Sequence, residues 1–295
     1  MTSERSQPAA AYTALATSGI LWGSSFVLGK IALTGLGVSH MILYRFLIAS
    51  ICFLPLLVRA RPRVSRADWG LILFAGAIGV SVQFLVQFEG LSRTSASHAA
   101  LMIGTAPVLV AVSAYFVFHE RLHRSTWFAL CASTLGVVLI VLRNGHDSAA
   151  GGSSLGGDLL VLASMFAAVV WILVSKRLMT RHSPVVVSGL ITTVGTVILT
   201  AWVLWRNGPP PVQLSASVWL AIAGLGFVCT VCTTILWNWG LSHVAAGKAG
   251  AFINLEPVIG AILGVWLLHE RLGLLAVAGG AVILASAIVV SLHDS

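Results

Sequence analysis

Glu256 stands inside an apolar run, beside Asn254 and directly before Pro257. A charge near the centre of a membrane helix costs at least about 2.5–3.5 kcal/mol, so such a residue needs a partner or a task. Proline removes a backbone donor and loosens the hydrogen-bond ladder around Ile253. A carboxylate beside a broken helix suits a coupling ion or a substrate ammonium. The alternative is a structural ion pair with Arg45 or Lys30. Arg45 lies about a third of the way into the second apolar run. Its guanidinium can grip a substrate carboxylate, pair with a buried acid, or snorkel to the surface. Lys30 sits near the end of its run, where snorkelling is the simpler role.

Gln83 and Gln87 are one helical turn apart, so they share a face. They offer amide donors and acceptors to a cavity, or hydrogen-bond two helices together. His98 opens the fourth run and titrates near neutral pH unless it is a satisfied interfacial histidine. Trp22 and Trp171 hold comparable mid-run positions in the first and sixth runs. Paired indoles there suit the wall of an apolar or aromatic cavity, with lipid-facing packing as the other reading. Trp237, Asn238, Asn254 and Tyr44 complete the candidate lining. Cys229-x-x-Cys232 has redox or metal spacing, but no second ligand pair follows. Two small side chains at a helix contact explain it, and neither a metal nor a cofactor is expected.

These residues need a lipid-embedded scaffold. Of 295 residues, 58% are hydrophobic and 9% charged, with a mean hydropathy of +0.97. Soluble domains carry about 25% charged residues. Runs near 12–33, 39–58, 69–88, 95–117, 125–142, 157–175, 184–205, 217–239, 246–268 and 273–291 are each long enough to approach or cross a bilayer. The expected fold is therefore an all-α polytopic membrane protein of ten helices. The polar N-terminus, Met1 to Ala11, precedes a long first run and reads as a tail before a retained helix. The net charge of +8 lies in short loops, where it sets topology rather than attracting nucleic acid. With the N-terminus inside, eleven loop Lys and Arg residues fall on the inner side and four on the outer. Both termini are thus expected in the cytoplasm, with the protein in the cell membrane.

The chain repeats at an offset of 150 residues. Gly90-Leu91-Ser92 returns as Gly240-Leu241-Ser242, and Pro107-Val108 as Pro257-Val258. His119-Glu120-Arg121-Leu122 returns as His269-Glu270-Arg271-Leu272. The repeats are residues 12–142 and 157–291, joined by a Gly/Ser-rich linker, 143–156, with tails 1–11 and 292–295. Five spans per copy is an odd number, so the second copy enters the membrane inverted, as in many secondary transporters. Glu120 and Glu270 each precede a span and are read as helix caps. The small-residue strips at Ala99–Gly104, Ala245–Ala251 and Gly260 with Gly264 are read as close helix contacts.

Trp22-Gly23-Ser24-Ser25-Phe26, Tyr44-Arg45-Phe46, Glu256-Pro257-Val258 and the paired His-Glu-Arg-Leu junctions resemble the EamA-type transporters of the drug/metabolite transporter superfamily. The resemblance covers nearly the whole chain. It implies ten helices around a central cavity with aromatic lining, Trp171 in particular. It also implies transport of small metabolites, often amino-acid export, without ATP hydrolysis. No G-x-x-x-x-G-K-[ST] occurs, so a P-loop pump is not expected, and no enzymatic activity is expected either. The expected partners are a small-molecule substrate, the bilayer, and protons if Glu256 titrates. An integral-membrane enzyme acting on lipid-linked substrates, and a carrier of drugs or sugars, are the competing readings. His40, His98, His182 and His243 are too scattered to favour the enzyme.

Overall fold

A computed structural model describes residues 6–118, 124–142, 154–243 and 251–293. Every regular element among these residues is helical. Six continuous helical segments are long and apolar enough to cross a membrane: Ala9–Leu33, Val38–Ala60, Arg66–Arg93, Leu155–Met179, Pro184–Asn207 and Ala216–Leu241. Four shorter apolar stretches join them: Ala96–Val110, Trp127–Ile140, Phe252–Leu267 and Leu274–Ser286. The chain is thus a multi-pass helical membrane protein.

The elements run as follows. α1 (Ser6–Leu33) and α2 (Val38–Ala60) are single helices. α3 (Arg66–Ala75) passes through a π-helical segment, Gly76–Val82, into α4 (Gln83–Arg93). α5 (Ala96–Ile103) breaks at Gly104 and Thr105 before α6 (Ala106–Phe118), and α7 (Arg124–Leu142) ends the first half. α8 (Leu155–Met179) and α9 (Pro184–Asn207) open the second half. α10 (Ala216–Ala223) passes through a second π-helical segment, Gly224–Cys232, into α11 (Thr233–Leu241). A 3₁₀ turn, Ala251–Asn254, leads into α12 (Leu255–Leu267), and α13 (Leu274–His293) closes the fold.

The irregularities recur at the offset found in the sequence. The first π segment maps onto the second. The break at Gly104–Thr105 maps onto the junction of the 3₁₀ turn with α12. Pro107 and Pro257 explain the second pair, because each leaves the carbonyl four residues earlier without its donor.

Packing exchanges between the halves. A side chain at Gly76 would collide with the backbone of Gly195 on α9, and one at Gly226 with the backbone of Arg45 on α2. The 150-residue shift turns the first contact into the second. Gly90 meets Val161 on α8, and Gly240 meets Ala11 on α1, by the same exchange. α1 consequently lies against α10, α11 and α12 of the other half, while α4 lies against α8. Glycine lets these backbones approach closely, which is how membrane helices associate without a hydrophobic drive between them. Gly260, against Ala100 and Gly23, does the same between α12, α5 and α1. Glu120, Lys248 and most of the linker and of the Ala245–Ala251 strip lie outside the described residues.

α1 begins at what is called here the proximal end. By alternation, the turns at 33–38, 93–96, 207–216 and 267–274 lie at the distal end.

Candidate functional site

The site is built around Arg45 on α2. Only 4% of this residue is exposed, so it does not snorkel. Its Nε donates to Thr230 Oγ1 at 3.1 Å, and Thr230 in turn donates to the Leu225 carbonyl at 2.8 Å. That carbonyl lies five residues back, the spacing of the π segment, so the irregular backbone places the hydroxyl that holds the arginine. The rings of Phe46, Phe84 and Phe88 surround the guanidinium, with centroids 5.5, 4.7 and 5.5 Å from Cζ. Arg45 Nη1 is buried without a hydrogen-bond partner. Among the described residues no ion pair joins Arg45 to Glu256, so the direct pair considered from sequence does not form. The two remain within electrostatic reach of each other and of Cys229.

Glu256 lies in the first turn of α12, half-buried, with no hydrogen bond or ion pair on its carboxylate among the described residues. Asn254, at the preceding break, buries both its amide atoms without a partner. Asn238 Nδ2 on α11 is in the same condition. Gln83 Nε2 donates to Gln87 Oε1 at 3.4 Å, which leaves Gln83 Oε1 buried and unpartnered. The Trp171 ring covers Gly79 of the first π segment, where any side chain would collide with it, and Trp171 Nε1 is buried without a partner.

Five of the residues singled out by sequence therefore carry unsatisfied buried polar atoms: Arg45, Gln83, Trp171, Asn238 and Asn254. Ser175 and Thr193 share this property, and sequence reasoning missed both. Hydroxyls in apolar helices ordinarily bond their own backbone, so they give no signal.

Other candidates have different neighbours. Trp22 pairs with Trp237, at a centroid distance of 5.4 Å, rather than with Trp171. Tyr44 donates to the Pro211 carbonyl at 3.1 Å and packs edge-on against Trp219 at the distal end. His98 Nδ1 faces Asp158 Oδ2 at 3.3 Å, in a separate cluster. Lys30 is half-buried and within electrostatic reach of Glu270. Glu270 is a cap, but of α5 rather than of the helix that follows it. Two surface grooves, each of about 390 Å³, lie elsewhere, one between α2 and α9 around Leu57 and Val186, the other between α7 and α13 around Phe128 and Val282.

A model of the EamA-like transporter family matches residues 9–142 and again 155–292. The chain belongs to the EamA-like transporter family. An uncharacterized transporter of Archaeoglobus fulgidus is 24% identical over 92% of this chain and 93% of its own. The uncharacterized transporter YetK of Bacillus subtilis is 25% identical over 92% and 85%. A protein of Streptantibioticus cattleyicolor named "Probable terminal-alkyne amino-acid exporter" is 26% identical over 94% and 92%. A solved crystal structure shares the fold at a TM-score of 0.65, with 19% identity, 95% of this chain and 96% of that one. The chain is accordingly a member of a transporter family embedded in a membrane, and its substrate is a small molecule.

Proposed function

We propose that this chain is a secondary transporter that exports a small amphipathic metabolite, an amino acid first of all, by alternating access without ATP hydrolysis. One observation carries the reading. Among the described residues, buried polar atoms without protein partners occur on Arg45, Gln83, Trp171, Asn238 and Asn254, and the unpaired carboxylate of Glu256 stands two residues from Asn254 and within electrostatic reach of Arg45. Burying such groups unsatisfied is costly unless a ligand or water meets them in turn. Arg45 Nη1 suits a carboxylate, Glu256 an ammonium or a proton, and the tryptophans an apolar side chain. The name of the Streptantibioticus relative supports amino acids at the level of 26% identity.

In this reading ten helices cross the membrane, and the halves 12–142 and 157–291 are inverted copies joined by the linker 143–156. The recurring helix breaks and exchanged contacts support it. The bias of eleven loop cations against four supports cytoplasmic termini in the cell membrane. Proteoliposomes loaded with a panel of labelled amino acids test the function. Efflux of at least one is expected, reduced about tenfold or more by Arg45→Gln and by Trp171→Ala. No flux of any amino acid, with or without a pH gradient, overturns the amino-acid assignment.

A further inference from the structure

Both ends of the molecule carry carboxylate contacts between the halves: at the proximal end Asp68 of α3 accepts from Arg181 Nη1 at 2.7 Å and faces His182 Nε2 at 3.2 Å, and the distal end carries a denser set. At the distal end α12 stops in a left-handed turn: the Leu268 and Glu270 N–H groups both donate back to the Gly264 carbonyl, at 3.2 and 3.3 Å, and His269 takes a left-handed conformation, φ 54°. Histidine tolerates that region better than most residues. The turn aims the Glu270 carboxylate at the first turn of α5. It accepts from the Ala96 N–H at 2.6 Å, the Ser97 N–H at 2.8 Å and Ser97 Oγ at 2.6 Å. Gly264 leaves the room for this, since any side chain there would strike Ser97 and Glu270.

A second acid grips the same segment. Asp158, fully buried in the first turn of α8, accepts from Thr94 Oγ1 and faces His98 Nδ1. The Ser154 N–H donates to the Arg93 carbonyl at 3.1 Å beside it. Residues 94–98 of the first half are thus held by carboxylates from two separate elements of the second. Two further cross-half bonds lie at the same end, His40 to the Gly208 carbonyl and Tyr44 to the Pro211 carbonyl.

Three of the residues with unpartnered polar atoms lie on the proximal side, whereas Arg45 lies seven residues from the distal end of α2. Ser175 is one turn from the proximal end of α8, Asn238 is three residues from that of α11, and Asn254 adjoins that of α12. The repeat does not duplicate the side chains of the clasp. At the shifted positions Ser97 becomes Gly247, His98 becomes Lys248 and Asp158 becomes Pro8, and only Glu270 keeps a counterpart, Glu120.

We infer that Glu270 and Asp158 form a clasp over residues 94–98 that keeps the distal end of the site closed at rest, and that its release opens the site to that face. The inference rests on the transporter reading, because only a protein that opens in turn to two faces needs such a clasp. The chain offers its own reporter. Cys229 is fully buried, 3.4 Å from Ser24 Oγ and within electrostatic reach of Arg45 and Glu256.

The test keeps Cys229 as the only thiol, through Cys52→Ser, Cys131→Ser and Cys232→Ser, in oriented proteoliposomes. A membrane-impermeant maleimide is added to one face at a time. Slow labelling from the distal face is expected in this parent. Glu270→Ala removes three hydrogen bonds and is expected to raise distal labelling about tenfold or more, with Asp158→Asn adding to it. Ser97→Ala removes one hydroxyl and is expected to raise it by about two- to fivefold, which keeps the inference testable if Glu270→Ala does not fold. Unchanged distal labelling in a folded Glu270→Ala or Ser97→Ala protein overturns the clasp. Equal acceleration from both faces also overturns it, since that is general loosening. Labelling needs no substrate, so a faster distal rate without flux of any solute supports the clasp while counting against the transporter reading.

Discussion

Arg45 uses one of its five donors on Thr230 and rests in a cage of three phenylalanine rings. Each cation–π contact is worth about 0.5–2 kcal/mol depending on desolvation, which offsets part of the charge's burial and leaves the Nη1 edge for a ligand. Arg45→Lys keeps the charge but loses the planar fork and the stacking. Its expected signature in a flux assay is a KM raised by about tenfold with kcat changed far less, whereas Arg45→Gln loses both. A lysine variant with wild-type KM places the anion site elsewhere. Glu256 makes the opposite case, a carboxylate left unpaired beside a helix break. Glu256→Gln mimics the permanently protonated form. It is expected to abolish accumulation driven by a pH gradient while keeping substrate exchange across the membrane. Full proton-driven accumulation in that variant removes Glu256 from coupling. Arg45, Gln83, Asn238 and Asn254 stand out as candidates in the sequence because polar groups in lipid are costly and therefore conspicuous, and Trp171 as a mid-run indole. The pairing of Trp22 with Trp237 was not, since indoles on α1 and α11 meet only through the packing of those helices.

At the scale of elements, the apolar runs and the proline breaks follow from residue type alone. The π segments do not, because one extra residue per turn leaves no pattern in an apolar stretch. Their glycines show what they do. A Cβ at Gly226 would lie 2.7 Å from the Arg45 carbonyl oxygen and 2.8 Å from Ile48 Cβ, against backbone that cannot turn aside. Gly226→Ala is expected to cost about 1–3 kcal/mol through overpacking, read as a lower melting temperature in detergent. Gly70, exposed in α3 with nothing within 4 Å of an added Cβ, gives the contrast. Gly70→Ala is expected to be neutral or stabilising by up to about 1 kcal/mol, since alanine restricts the unfolded chain and favours the helix. Equal melting temperatures for the two variants contradict the close approach at the second π segment. The His-Glu-Arg-Leu motif was legible as a repeat and as a cap. The helix that Glu270 caps was not, because the left-handed turn at His269 sends the carboxylate across to α5, far away in sequence.

At the scale of the whole molecule, the sequence offset describes two copies in a row, whereas the packing interleaves them. α1 is covered by α10, α11 and α12, α4 by α8, and α12 by α5, so much of each half's buried surface belongs to the other. Neither half on its own covers Gly23 or Gly90, whose partners are Ile259 and Val161. Two independent modules predict the contrary: each half would insert, fold and resist protease alone. Interleaving predicts that residues 1–150 and 151–295, expressed separately, are degraded or aggregate in detergent, and that co-expression restores a monodisperse, protease-resistant complex with the melting transition of the intact chain. The break falls in the Gly/Ser-rich linker, whose composition is that of a flexible connector. Size-exclusion chromatography of the two tagged halves decides the matter. A monodisperse, protease-resistant single half refutes the interleaved packing. Recovery only on co-expression supports it, and adding Gly226→Ala to the second half is then expected to weaken the complex, because that contact lies between the halves.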